Sequence, residues 1–227
     1  MTTPISNDQL NHLLKFVGYG RLDADIWFLG MEEAGGGEEN IKARLSFRQT
    51  EDNAEAHKIL GITKHHWGKR IIQRTWRGMC YIMLQLENTE PTTENVRNYQ
   101  AEKLGRFDGN TLLCELMPIP KPKISQWGYE ELLPQFSSRE DYYLKTKPDR
   151  IKILKGLLAK HEPKAIVAYG KGYWPDYKEL FEDTDFIQKD QFQVGKHKGT
   201  NIVLVDHFTA RTMNNKLGEV VSLIREK

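Results

Sequence analysis

The sequence predicts an α/β fold, a three-layer α/β/α sandwich around a central, mainly parallel sheet of four strands. Three observations carry that expectation. Four short apolar or β-branched runs, Ala24 to Gly30, Thr111 to Leu116, Lys164 to Gly170 and Thr200 to His207, have the near-continuous hydrophobicity of strands buried on both faces. Helix-period segments lie between them, at about Asp8 to Val17, Lys69 to Leu86, Glu94 to Leu104, Arg150 to Lys160, Tyr173 to Phe181 and Met213 to Arg225. The chain has 227 residues, 39% hydrophobic and 28% charged, with a mean hydropathy of -0.62, which is the length and balance of one globular domain. Residues 1–227 are therefore read as a single unit.

Each strand leads into distinctive chemistry. The first runs into Gly30-Met31-Glu32-Glu33-Ala34-Gly35-Gly36-Gly37-Glu38-Glu39, which sets glycines and four carboxylates at a strand end. Glu38 and Glu39 also suit the positive N-terminus of a following helix. A phosphate cradle does not fit, because Walker Lys-Ser/Thr and Gly-x-Gly-x-x-Gly spacings are both missing and the carboxylates would repel phosphate. The second strand is entered through Asn110, a turn-forming type, and left through Pro118 and Pro120. Pro118 to Lys147, rich in Pro, Ser, Gln and Tyr, reads as the longest irregular segment, a surface loop. The last strand delivers an imidazole in Val205-Asp206-His207-Phe208-Thr209-Ala210-Arg211, structural or functional. In a parallel sheet flanked by helices, ligands bind outside the carboxyl ends of the strands, where these loops lie.

Composition excludes several classes. Apolar runs such as Ile166 to Ala168 and Ile202 to Val205 are too short to span a bilayer, and the N-terminus reads as lacking a charged-then-apolar leader, so a cytoplasmic protein with no membrane partner is expected. Cys80 and Cys114 form neither a disulfide framework nor a Cys-x-x-Cys pair. The adjacent His65 and His66 have no evident third ligand, so no metal and no cofactor are expected. Net charge is only +2, yet Thr63 to Arg77 holds Lys64, Lys69, Arg70, Arg74 and Arg77 without one acidic residue. Arg70, Arg74 and Arg77, at i, i+4 and i+7, would share one helix face, either phosphate-binding or simply solvated.

Taken together and in this order, the three loops resemble the motifs of the uracil-DNA glycosylase superfamily over most of the α/β core. Gly30-Met31-Glu32-Glu33 resembles the Gly-x-(Asp/Asn/Ala)-Pro water-activating loop, and its Gly-Met start is most similar to the single-strand-selective branch. Asn110 followed by an apolar strand and Pro118 resembles the strand whose Asn reads the base edge. His207-Phe208-Thr209-Ala210-Arg211 resembles His-Pro-Ser-Pro-Arg, whose histidine contacts the base carbonyl. Phe47 stands at a suitable distance for the ring that stacks on the extruded base; it also suits a core position.

The resemblance implies a monofunctional DNA glycosylase that flips a nucleotide and hydrolyses its N-glycosidic bond to leave an abasic site. Glu32 would activate water, with Glu33 as the alternative; His207 and the backbone of Met31 would donate to the base oxygen; Asn110 and Phe47 would read and stack the base. No lysine stands at the tips of these loops to form a Schiff base. Lys69, Arg70, Arg74, Arg77, Lys171 and Arg211 would hold the DNA, single- or double-stranded, and the protein would act as a monomer. Glu33 and Phe208 replace prolines of the motifs and Glu32 is longer than Asp or Asn, which implies a looser pocket and a base other than uracil, such as a modified pyrimidine. Two rival readings stay open: a noncatalytic DNA-binding module of the same fold, and a small-molecule or nucleotide-binding α/β protein.

Overall fold

A computed structural model of the chain describes residues 2–121 and 127–226. It opens with helix α1 (Asn7–Leu14), started by a reciprocal cap in which Ser6 accepts from the Gln9 backbone and Gln9 from that of Ser6. There follow β1 (Gly18–Gly20), β2 (Ile26–Ala34), α2 (Glu38–Ala43), β3 (Thr50–Glu51), α3 (Asn53–Ile59), α4 (Arg74–Leu86), α5 (Thr93–Glu102) and β4 (Thr111–Lys121). The second half holds α6 (Arg139–His161), β5 (Ala165–Tyr169), α7 (Trp174–Lys178), β6 (Ile187–Lys189), β7 (Phe192–His197), β8 (Thr200–Val205) and α8 (Leu217–Arg225).

The sheet is mixed and has eight strands, in the order β3-β1-β4-β2-β5-β8-β7-β6, which corrects the expectation of four. The four apolar runs of the sequence are its contiguous centre, β4-β2-β5-β8, and these are mutually parallel. The additional strands lie at the two edges. β1 joins antiparallel to β4 and parallel to β3, while β6, β7 and β8 form an antiparallel meander. Edge strands need no continuous apolar run, and those of two or three residues leave no periodicity to detect.

Alternation along the central strands sends side chains to two cores. Trp27, Leu29, Leu112, Cys114, Ile166 and Ile202 pack with α1, α6 and α7. Ile26, Phe28, Leu113, Val167, Val203 and Val205 pack with α4, α5 and α8. Helices thus cover both faces, and each large apolar side chain fully buried contributes about 1.5–3 kcal/mol. No described helix is long and apolar enough to cross a membrane.

Helix boundaries depart from the expected ones most at α6 and α4, and by three or four residues at the end of α1, the end of α7 and the start of α8. α4 begins at Arg74, where the Gln73 side chain accepts the Trp76 N–H; Arg70 sits in the preceding turn with φ of 46°. α6 is a 23-residue helix through Pro148, capped by Ser138; it takes the last nine residues of the stretch expected to be irregular and β4 the first four, while residues 122–126 of that stretch lie outside those described. Its buried Arg150 donates to the carbonyls of Leu14, Glu115 and Leu116, tying α6 to α1 and β4.

Taken in chain order, the central strands run second, first, third, fourth. Connections leave in opposite directions on either side of β2 and β5, so a topological switch point opens between their carboxyl ends.

Candidate active site at the carboxyl ends of the central strands

Gly30 is registered with Glu115 on β4, and Leu29 with Ala168, so Tyr169 follows at the level of Gly30 on β5. Glu115, Gly30 and Tyr169 therefore form a row across three strands, two residues beyond Leu113, Phe28 and Val167 on the same face. The Tyr169 hydroxyl reaches across Gly30 and donates to Glu115 Oε1 at 3.0 Å. A Cβ at residue 30 would lie 2.1 Å from Glu115 Oε2 and 2.4 Å from the Tyr169 hydroxyl, so only glycine leaves room for the pair. Glu115 Oε2 is shut off from solvent and has no hydrogen-bond partner among the described residues. Burial first, then the negative charge of Glu33, push the Glu115 pKa up to about 8, against a smaller lowering by the Tyr169 hydrogen bond. Near neutrality this carboxyl keeps its proton and is a hydrogen-bond donor.

Glu32 and Glu33 follow on β2, where the pairing with β4 shifts register between Glu32 and Ala34; the alternation of the strand breaks there, and the two side chains leave to opposite sides. Glu33 accepts the Tyr19 hydroxyl at 2.9 and 3.1 Å, and Arg44 Nη2 lies 2.9 Å from Oε2 as an ion pair too bent for an aligned hydrogen bond. Glu32 turns to α6. Arg139 Nη2 donates to its Oε1 at 3.1 Å and the Tyr143 hydroxyl to its Oε2 at 2.9 Å, leaving the side chain 7% exposed.

His207 stands directly after β8. Its Nδ1 accepts the Thr209 N–H at 3.3 Å and lies 2.7 Å from Thr209 Oγ1, which leaves the hydrogen of the neutral ring on Nε2. Burial lowers the His207 pKa, opposed by Asp206, so the neutral ring prevails at pH 7. The imidazole meets the Tyr169 ring edge-on at 5.8 Å. Phe208, where the resembling motif has proline, is buried against Phe28 and Tyr169 and over Gly78 of α4, where a Cβ would come within 2.7 Å of its ring.

Beside Glu33 and Glu115 lies a cavity of about 50 Å³, walled by Phe16, Tyr19, Trp76, Met79, Leu113, Pro118 and Tyr169. That is a third of the roughly 150 Å³ that accepts benzene in an engineered protein core. The Gly35-Gly36-Gly37 run does not enlarge it; those glycines border an open depression with Ile59 to Ile62 on the surface.

Several residues singled out from sequence lie elsewhere. Asn110 is at the opposite end of the sheet, accepting the Asp25 N–H and donating to Asp25 Oδ2, roughly 20 Å of strand away from Glu32. It is the turn-forming Asn. Phe47, 2% exposed, is core behind Phe16, and it is Phe16 that reaches the cavity wall. The Met31 side chain belongs to the core on the α6 face. Arg70 is outside any helix and held by Glu102 at 2.6 Å and Asn98 at 3.1 Å, so the shared face with Arg74 and Arg77 does not form. Arg74 and Arg77 line a cleft with Tyr81, Phe208, Thr209 and Asn215, next to the His207 loop. Lys69, Lys171 and Arg211 are exposed.

His65 and His66 join His57 and Trp76 in a packed group: His66 Nε2 lies 3.1 Å from His57 Nδ1, and His57 stacks on Trp76 at 5.1 Å. Burial lowers the His57 pKa to about 3 and that of His66 to about 4, so both are neutral packing groups. Among the described residues no three His, Cys, Asp or Glu side chains are arranged to hold a metal ion.

Sequence reading missed Glu115, Tyr19, Arg44, Arg139 and Tyr143. For Glu115 a signal existed, since it is the lone charge in the apolar run Thr111 to Pro120. In comparison with known proteins, the chain matches no family model and no curated protein.

Proposed function

We propose that this chain is a monofunctional DNA glycosylase of the uracil-DNA glycosylase type, which draws a nucleotide out of DNA and hydrolyses its N-glycosidic bond. The observation that carries the reading is the position of Glu33, Glu115 and His207 at the carboxyl ends of the central parallel strands beside the switch point, Glu33 and Glu115 bordering one cavity and His207 lying against the Tyr169 ring that walls it. Two of the three stand in the loops that resemble the superfamily's catalytic motifs.

As the glycosidic bond breaks, positive charge grows on the sugar and negative charge on the leaving base. Glu33 suits the first charge and the orientation of water, because it borders the cavity while Glu32 is engaged by Arg139 and Tyr143. His207 Nε2–H suits the second, as a neutral donor to the base carbonyl. Arg74, Arg77, Lys69, Lys171 and Arg211 are the exposed cations on hand for phosphates. A base needs more room than about 50 Å³, and the half-buried Trp76, at the start of α4, is the wall that would give way.

The test scores abasic sites as alkaline strand breaks in DNA carrying uracil, damaged or modified pyrimidines, with the wild type, Glu33→Gln and His207→Ala. Wild-type product is expected on at least one base, reduced about 10²–10⁴-fold by Glu33→Gln and roughly 10²–10³-fold by His207→Ala.

A second reading has its own observation. Glu32 and Glu33 are each already ion-paired, with Arg139 and Arg44, as structural carboxylates are. A noncatalytic DNA-binding module would bind DNA with steep salt dependence, produce no abasic sites, and bind unchanged after Glu33→Gln and His207→Ala.

A further inference from the structure

The loop of residues 63–72, ahead of α4, inverts the usual placement of its side chains. His65 and His66 are packed inside, whereas Trp67 and Ile71, 41% and 52% exposed, face solvent. Of the five tryptophans in the chain, Trp67 alone is exposed. One exposed apolar side chain is ordinary; here an indole and an isoleucine share a single short loop.

The loop is fastened from below. Gln100, fully buried, donates through Nε2 to the carbonyls of His65 and Ile71 at 2.9 and 3.1 Å, and its Oε1 accepts the Gln73 N–H at 2.8 Å. The Ile71 N–H donates to the Lys64 carbonyl at 2.8 Å, and the left-handed Gly68 and Arg70 turn the chain between them. Trp67 is therefore presented on a frame that is already ordered, which lowers the entropy lost on binding.

The setting is cationic. No acidic residue occurs from position 63 to 77; Arg70 is held by Glu102, while Lys64 and Lys69 are exposed with no ion pair among the described residues. An indole among lysines has the two contacts that an unpaired nucleic-acid strand offers, a face for a base and cations for phosphates. A duplex offers the phosphates alone, because its bases already cover one another. The place also fits the site: Trp67 meets the His66 ring edge-on at 5.5 Å, His66 lies 5.7 Å from Trp76, and Trp76 walls the cavity beside Glu33.

Resting on the DNA-binding part of the proposed function, we propose that Trp67 is a stacking platform for an unpaired base of single-stranded DNA flanking the cavity, with Lys64 and Lys69 on the adjoining phosphates.

The experiment measures binding of the full chain to a fluorescent oligothymidylate, to a strand of the same length that lacks bases, and to a mixed-sequence duplex. Trp67→Ala, an exposed change whose folding is checked by melting temperature, should weaken the oligothymidylate about 5- to 150-fold. It should leave the base-free strand and the duplex unchanged, and Trp67→Phe should keep most of the affinity. Lys64→Ala and Lys69→Ala should instead weaken both single strands alike, each flattening the slope of log affinity against log salt by about 0.7. A Trp67→Ala protein that binds oligothymidylate as the wild type does overturns the proposal, including the case where it has lost self-association instead. So does an equal loss on the oligothymidylate and the base-free strand. Abasic-site formation with binding indifferent to Trp67 sinks only the proposal; Trp67-dependent strand binding with no product from any base sinks only the glycosylase reading; neither binding nor product removes both.

Discussion

The two ends of the central sheet treat polar groups in opposite ways. At the amino end, Asn110, Asp25 and Lys164 form an exposed, mutually satisfied group: Asn110 bridges the Asp25 backbone and carboxylate, and Lys164 Nζ lies 2.8 Å from Asp25 Oδ2. At the carboxyl end, Glu115 is half-buried with one oxygen held out of solvent and unanswered, beside two further carboxylates. A satisfied surface cluster needs no ligand. An unsatisfied buried one persists only where surrounding packing over-determines it, which is the condition under which sites are built.

Four substitutions break or sharpen this contrast, from the largest expected effect to the smallest. Arg150→Met strips the donor from three backbone carbonyls behind Glu115, and at about 1 kcal/mol or more for each buried acceptor it should cost at least about 3 kcal/mol in denaturant unfolding. Gly30→Ala drives a methyl into Glu115 and Tyr169; overpacking of this kind costs about 1–3 kcal/mol, and the proposed abasic-site activity should vanish with the displaced pair. An alanine protein with full activity and an unchanged melting temperature would show that the row across β4, β2 and β5 is not held as described.

The third is a pH effect. The Glu115 pKa is raised in the folded chain, so between about pH 4.5 and 8 the folded state holds a proton that the unfolded state has lost, and stability falls as pH rises through that window. Glu115→Gln should remove this slope, read as the difference in melting temperature between the two proteins at about pH 5 and about pH 8. Smallest is Asn110→Ala. Its exposed contacts are worth about 0.5–1.5 kcal/mol at most, and catalytic rate should not change, because it sits at the far end of the sheet. A rate loss there would restore Asn110 to the site.

Legibility tracked locality. The four central strands were readable because strands buried on both faces must be apolar along their length. The β6-β7 hairpin was not: Ile187–Lys189 and Phe192–His197 are largely polar, and the left-handed positions that turn it and the next strand are Asp190 and Lys198 where glycine would have signalled a turn. The first eleven residues of α6 hid behind their polarity and Pro148. At the site, His207 and the Glu32-Glu33 pair were visible as chemistry at strand ends. Glu115 passed as part of a core strand, and Phe47 was chosen over Phe16 because spacing cannot tell which of two contacting rings faces a cavity.

The sequence by itself determined the α/β class, the central strands and the presence of carboxylates and an imidazole at their ends, since periodicity and strand-end position are local properties of the chain. Only the tertiary structure decided that Glu33 borders the cavity while Glu32 turns to Arg139 and Tyr143, that Tyr169 reaches Glu115 across Gly30, and that Asn110 belongs to the opposite end. Those outcomes depend on the register between strands distant in the chain, where a slip of one residue sends every side chain to the other face, and no spacing within a single strand encodes it.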